Sequence, residues 1–487
     1  MKSISERLIK GSGIYALGKI LPKVMGFILI PLYTRFLTTS DYGIVAVASV
    51  IIDIMIIILS MGLPASVTRY YFDYAKELKE FRDYLGSIFI VLLLMSLTII
   101  LSLTFFGKPI FTNLFSEVPF SPYIKLALWT SFFTTMGIIP LNLYRAKERA
   151  LLYISLTLSH FIITTGFIVY FVVVLREGAL GKIKGVFYAS LILSVIYLIL
   201  TIQKSNFTLS KSKIFSAFSF GLPLVPHALS ALILSSADRI LLERLSTLSQ
   251  VGLYNIGYQI GQAFTLIMSS IAYAWVPIYY SIAKDELEHK AKKIFSRMAT
   301  LYIAFGAILA AGVILFSKEI IYFMTTEGFY DSHLVVPLIA AGYFIYLIYI
   351  MSVRALYLKK RTYIVAPITI LAAIINIGLN ILWIPDYGMM GAAYATLISF
   401  LIQSILILIF AQKTYYIPYE YINLIIITAL LGCIYFINNY FDLYSIWISL
   451  VVKFCIFITF IGALFLFNIL SLKDLTKVKE VFFKRKY

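Results

Sequence analysis

Runs of apolar residues about twenty long follow one another through nearly the whole chain, parted by short polar or basic turns. At about 1.5 Å of rise per helical residue, each run crosses a hydrocarbon layer roughly 30 Å thick. Helix is the form that suits such a run, because an open strand edge would leave polar backbone groups bare in lipid. The pattern predicts an all-α polytopic membrane protein with about fourteen transmembrane helices. The spans fall at 11–37, 41–63, 84–106, 122–144, 150–174, 182–202, 215–243, 250–282, 298–316, 333–353, 363–384, 391–411, 421–439 and 446–468. An even number of crossings puts both termini on one side.

Composition agrees: 61% of the 487 residues are hydrophobic and 13% charged, against about half and about a quarter in soluble domains. The 41 Lys and Arg outnumber the 23 Asp and Glu, giving a formal charge of +18. About 29 of these cations fall in one set of alternate loops, about 8 in the other and about 4 inside helices. Such asymmetry turns the rich loops, and both termini with them, toward the cytoplasm, where they meet anionic lipid. The tail with Lys473, Lys477, Lys479, Lys484, Arg485 and Lys486 fits that side, as do Arg354, Lys359, Lys360 and Arg361. The basic balance is accounted for by membrane lipids, and no nucleic-acid partner is expected. Cys433 and Cys455 lie in separate spans as small apolar fillers, so neither a disulfide nor a metal site is expected. The first span carries Lys19 and Lys23 and lacks a small-residue cleavage site; it reads as a retained helix.

A repeat is visible inside the chain. Arg35-Phe-Leu-Thr-Thr-Ser-Asp-Tyr-Gly43 aligns with Arg244-Leu-Ser-Thr-Leu-Ser-Gln-Val-Gly252, so that Arg, Thr, Ser and Gly recur at a shift of 209 residues. The shift spans six helices and predicts two parallel six-helix bundles, 1–202 and 215–411, joined by a linker at 203–214. Helices 13 and 14 and the basic tail, 412–487, lie outside the repeat. Helices 1 and 7 are both interrupted, by Pro22 and Pro31 in one and Pro223 and Pro226 in the other. Breaks at matched places in two halves point to a transporter's binding site; ordinary membrane packing also uses Gly and Pro.

Charges inside the spans are the candidates for chemistry, because an ammonium in mid-bilayer costs about 3 kcal/mol even on the lenient insertion scale. Lys19 and Lys23, four apart, share one face of helix 1 and predict a wet cavity. Lys23 lies about 21 Å from the outer end of its helix and Asp53 about 18 Å from that of helix 2. The two are placed opposite each other, either as a fixed pair or as one opened by substrate or a proton. Asp238 and Arg239 in helix 7 either line the cavity or form an outer-gate salt bridge. Asp53, Asp238 and Glu243 are the candidates for ion or proton coupling and gating. Lys125 and Lys453 lie nearer the outer surface and are expected to snorkel. His160 and His227 are expected in hydrogen-bonded packing roles. No phosphate-cradling glycine loop, HExxH or cysteine cluster is found, so no catalytic residue, cofactor or metal is expected. The 36 Tyr and 38 Phe suit interfacial belts or stacking on sugar rings.

Several segments resemble the polysaccharide-transport branch of the multidrug/oligosaccharidyl-lipid/polysaccharide (MOP) superfamily of exporters. They are Gly18-Lys-Ile-Leu-Pro-Lys-Val-Met-Gly26-Phe, Pro31-Leu-Tyr-Thr-Arg35-Phe-Leu with Asp41-Tyr-Gly43, and Ser60-Met-Gly62-Leu with Arg69-Tyr. The most specific is Asn376-Ile-Gly-Leu-Asn380-Ile-Leu-Trp-Ile-Pro385-Asp-Tyr-Gly388-Met-Met-Gly391-Ala-Ala, ahead of Ala395-Thr396. The resemblance implies a flippase, not an enzyme, in a bacterial or archaeal cytoplasmic membrane. Its substrate would be a polyprenyl-diphosphate-linked oligosaccharide, such as an O-antigen, capsule or exopolysaccharide repeat unit. The diphosphate would be met by Lys19, Lys23 and Arg239, and the lipid tail by a groove beside helices 13 and 14. Membrane lipids and polysaccharide-assembly proteins are the implied partners. Where related lipid II flippases carry Arg-Asp after the motif's glycine, this chain has Leu29 and Ile30, which argues against a murein precursor. The alternatives are export of another lipid-linked precursor, teichuronic-type or lipid II, and a multidrug antiporter. A glycosyltransferase or polymerase would want a large outer loop with carboxylates, and the one at 107–122 offers Glu117 alone.

Overall fold

The computed structural model describes residues 21–22, 24–74, 77–440, 446–471 and 474, and every regular element among them is helical. Twelve segments are long and apolar enough to cross a membrane. The described part of the first expected span, α1 (Val24–Thr34), is a shorter apolar helix. One of the twelve segments holds two crossings. Its main helix passes through Gly388, whose φ of 53° and ψ of −131° end one arm and begin the next. A Cβ on Gly391 would lie 2.4 Å from the Trp383 carbonyl oxygen. Eight residues of straight helix cover about 12 Å, so the chain must double back there. This reversal falls inside the Asn376–Gly391 motif and brings the crossings among the described residues to about thirteen, beside the shorter apolar helix α1.

The packing forms two compact units that meet in sequence at Asn255 and Ile256. The first holds α1, α2 (Thr39–Ser60), α3 (Leu63–Asp73), α4 (Leu78–Phe106), α5 (Lys108–Leu114), α6 (Lys125–Thr135), α7 (Ile138–Ala146), α8 (Ala150–Val169), α9 (Gly178–Ile202), α10 (Lys211–Gly221) and α11 (Val225–Leu245). Its centre is α2, which packs on α6, α9 and α11, while α10 lies on α3 and α4. The segment 203–214, read as a linker, is therefore inside this unit: Asn206 N–H donates to the Arg82 carbonyl at 3.0 Å, and Ser87 Oγ to the Thr208 carbonyl at 2.7 Å.

Helix α12 (Leu248–Gly261) runs across the sequence boundary, and the second unit continues with α13 (Thr265–Asp285), α14 (Glu288–Leu315), α15 (Ser317–Met324), α16 (Val335–Leu358), α17 (Val365–Thr414), α18 (Tyr421–Tyr440) and α19 (Ile446–Leu466). Its centre is α14, which buries Ala299, Ala304, Ala307, Ala310 and Ala311. Small side chains let α16, α18 and α19 close on it, the usual basis of helix contact where lipid offers no hydrophobic drive. The short helix α15 occupies what the sequence presents as an outer loop.

Candidate functional site: charges at membrane depth

The repeated turn shows how the first unit is built. Thr38 caps α2, its Oγ1 accepting from Asp41 N at 3.1 Å while Asp41 Oδ2 accepts from Thr38 N at 2.9 Å. Thr247, its counterpart at the 209-residue shift, accepts from Gln250 N at 3.3 Å. The second Asp41 oxygen takes Ala179 N at 3.0 Å and so fixes the start of α9. The two turns then interlock. A Cβ on Gly43 would lie 2.0 Å from Leu248 O, and one on Gly252 would lie 1.9 Å from Thr39 O. Leu248 is the counterpart of Thr39, so the contact is reciprocal, the geometry a local two-fold axis imposes. Glycine is required at both places because any side chain would meet backbone. The recurring Thr and Gly thus have the same work in both turns.

The candidate breaks are structural. Helix α1 is interrupted at Leu29, and Pro31 opens its last turns; Pro22 is helical and half-buried. In the seventh crossing α10 stops at Gly221, a 3-10 turn over Leu222–Leu224 contains Pro223, and α11 restarts with Pro226 in its first turn.

Beyond that break the charges are tied together. Arg239 Nη1 lies 2.8 Å from Asp238 Oδ1 and 2.5 Å from the Ser235 carbonyl, and the guanidinium sits 5.3 Å from the Tyr254 ring centroid. Tyr254 Oη donates to the other Asp238 oxygen. Both charges are buried, so their geometry is that of a salt bridge. Glu243, also buried, accepts from Ser116 N at 3.2 Å, Glu117 N at 2.6 Å and Val118 N at 3.0 Å. This carboxylate pins the segment after α5 to the end of α11. Asp53 is different. About 21 Å along α2 from Thr39, it is exposed and makes no hydrogen bond or ion pair among the described residues, with the Arg239 charge in electrostatic reach. Lys19 and Lys23, and hence the pairing of Lys23 with Asp53, fall outside the described residues.

Several features escape the sequence. Lys182 on α9 holds its ammonium 4.6 Å from the Tyr33 ring centroid and 4.5 Å from that of Tyr42. Its place at the head of a helix reads as an outer-loop charge, and the two tyrosines are the signal that could have marked it. In the second unit Lys453 does not snorkel. Its ammonium lies 2.8 and 2.9 Å from the two Glu319 oxygens, and Ser449 Oγ donates to Glu319 at 2.9 Å, all three buried. A carboxylate on α15 satisfies it locally, so reaching for water would lose a bidentate ion pair. Lys125 is half-buried with its ammonium 5.6 Å from the Phe120 ring centroid. The hydrogen-bonded role for the histidines is also corrected: His227 Nδ1 is buried without a partner, and His160 makes no hydrogen bond among the described residues. Cys433 and Cys455 are free and outward-facing, and no cluster able to hold a metal occurs among the described residues.

A cavity of about 420 Å³ opens in the second unit, lined by Ile271, Trp275, Met298, Leu301, Tyr302 and Phe305 and bordered by Phe465 and Leu470 next to α19. Near its end Asp474 is bound by Arg297, at 3.2 Å from Nε and 2.5 Å from Nη2, while Arg297 Nη1 holds Glu420 at 3.0 Å. Burial works to raise the pKa of Asp474, but hydrogen bonds from Arg297 and Ser471 outweigh it and hold the carboxyl below its ordinary range.

Comparison with known proteins adds to this geometry. A family described as "Polysaccharide biosynthesis protein" matches residues 8–283. The chain is 24% identical to the "Lsg locus putative protein 1" of Haemophilus influenzae over 58% of its own length and 68% of that protein's. It is 22% identical to the "Probable low-salt glycan biosynthesis flippase Agl15" of Haloferax volcanii over 78% of each chain. In fold it is similar to the inward closed lipid II flippase MurJ, with a TM-score of 0.73, 15% identity and coverage of 94% of this chain and 99% of that one. It is also similar to an inward-facing multidrug resistance MATE transporter of the MOP superfamily, with a TM-score of 0.58, 13% identity and coverage of 83% and 92%.

Proposed function

The chain belongs to the polysaccharide biosynthesis protein family, and on that footing we propose that it is a flippase for a polyprenyl-diphosphate-linked oligosaccharide. The substrate is an O-antigen, capsule or exopolysaccharide repeat unit, carried from the inner to the outer leaflet of a cytoplasmic membrane by alternating access. The chain acts as a secondary-type transporter and not as an enzyme, with its basic loops and both termini in the cytoplasm. Two of its similarities support this reading: a relative named as a glycan-biosynthesis flippase, and a fold shared with a lipid II flippase.

The observation that carries the reading is Asp53, a carboxylate at mid-membrane depth that is exposed and has no hydrogen bond or ion pair among the described residues. Lipid does not tolerate such a group, so that face of α2 borders water. Lys19 and Lys23 meet the substrate diphosphate there; a cation about 4 Å from a phosphate charge contributes up to roughly 4 kcal/mol at an effective dielectric near 20. Arg239 adds its field rather than a contact, because Asp238 occupies its guanidinium. Asp53 is the coupling carboxylate, and Asp238 and Glu243 hold the outer gate. The lipid tail runs in the groove beside α19, and assembly proteins receive the product.

Purified protein in liposomes tests this directly, by following a lipid-diphosphate oligosaccharide from one leaflet to the other under a proton or sodium gradient. Wild type moves it and Asp53→Asn slows it at least tenfold. Folded wild-type protein that moves none under either gradient overturns the assignment.

A further inference from the structure

Arg354 lies four residues before the end of α16, about 7.5 Å along the axis from the basic turn Lys359–Arg361. Among the described residues its guanidinium has no carboxylate partner, and its Nε is buried without a hydrogen-bond acceptor. Four phenols, Tyr279, Tyr302, Tyr349 and Tyr357, lie within its electrostatic reach. Tyr302 Oη donates to the Met268 carbonyl at 3.1 Å. Tyr279 Oη is buried and unpartnered. Two orphaned donors, one charged and one neutral, therefore share this neighbourhood.

The two buried cations among the described residues are met locally, Arg239 by Asp238 and Lys453 by Glu319, and half-buried Lys182 is met by two ring faces. A guanidinium and a phenol without acceptors make a complete set of donors for an oxyanion, and a planar guanidinium matches the oxygens of phosphate. The cluster also adjoins the apolar groove. Tyr302 lines the groove, Met351 lines it one turn before Arg354, and Trp275 of its wall meets the Tyr279 ring at 6.1 Å. Tyr346 and Tyr349 stack at 4.8 Å beside it, offering flat faces of the kind sugar rings pack against. A charge-bearing linkage between an apolar chain and a sugar fits this sequence of surfaces.

We propose that Arg354 and Tyr279 form a phosphate site for the lipid-linked glycan, holding its diphosphate while the chain lies in the adjoining groove. This rests on the flippase reading and assigns that substrate an entry site on the second unit, at the end with the basic turn. The basic turn draws the anion in, and loading it satisfies two buried groups that are otherwise unmatched.

The test measures binding to the full-length protein in nanodiscs for four probes: a polyprenyl diphosphate, the same polyprenol without phosphate, phosphatidylglycerol, and inorganic pyrophosphate. Arg354→Gln weakens the polyprenyl diphosphate at least tenfold, the scale of a lost charge-assisted hydrogen bond, and leaves the polyprenol unchanged. Arg354→Lys falls between the two, and Tyr279→Phe, which keeps the ring, weakens binding by about twofold or more. Unchanged binding in both Arg354→Gln and Tyr279→Phe overturns the site while leaving flipping by the wild type intact. An equal loss for phosphatidylglycerol also overturns it, in favour of a resident phospholipid. Wild type that binds no lipid diphosphate sinks the flippase reading itself.

Discussion

Two cations in the second unit sit among similar helices and are treated in opposite ways. Lys453 is closed off by Glu319 and Ser449, while half-buried Arg354 has phenols within electrostatic reach and an orphaned Nε. The first arrangement is complete without a ligand and ties α19 to α15. The second is incomplete among the described residues, and on the proposal above an anion from outside the chain completes it. Between these two cations the difference is a carboxylate within reach, present for Lys453 and absent among the described residues for Arg354.

Removing that carboxylate gives the largest effect. Glu319→Gln strands the Lys453 charge in the interior and lowers stability by about 3–5 kcal/mol, read as a fall in melting temperature in detergent. Glu319→Leu combined with Lys453→Met restores most of the loss, since an apolar pair replaces both charges. Arg354→Met marks the other side of the comparison: without ligand it is neutral or stabilising by up to about 1 kcal/mol, because it deletes an unmatched charge. A large loss there would make Arg354 a fastening too.

Glu243 sharpens the contrast from the anionic side. It is satisfied entirely by backbone amides of residues 116–118, so Glu243→Gln should cost about 2–3 kcal/mol. Limited proteolysis should then begin in the segment between α5 and α6. The smallest effect is expected at Asp474. Its folded pKa lies below the free carboxylate value, so its contribution is complete above that free value, about pH 4, and is lost as pH falls through the lower folded pKa. Amide exchange at Ser471, whose N–H donates to Asp474 at 3.0 Å, should stay slow near pH 5 and accelerate only in strong acid. Acceleration already between pH 7 and 5 would contradict the sign.

The membrane fold was legible because each crossing announces itself as an uninterrupted apolar run, and because proline and glycine mark the breaks in helices 1 and 7. The repeated turn was legible for a local reason: a cap needs Thr and a close crossing needs Gly, so residue type records geometry. The site was less so. Glu319 and Lys453 are 134 residues apart, and nothing in either neighbourhood names the other. Arg354 stands one turn before Lys359, Lys360 and Arg361, so counting charges by side absorbed it into a basic loop. Glu243 is bound by backbone amides, which leave no signature in residue types. Lys453 was misread for the related reason that depth alone predicts snorkelling, whereas a partner on another helix determines it.

The interlocked Gly43 and Gly252 have one more consequence. Each seats in the notch of the other, so a twist about the axis between them withdraws both together or neither. Half-release would leave one backbone jammed against its neighbour and the other parted from contact. A side chain at either position would therefore force both turns apart, since the two contacts share one seat.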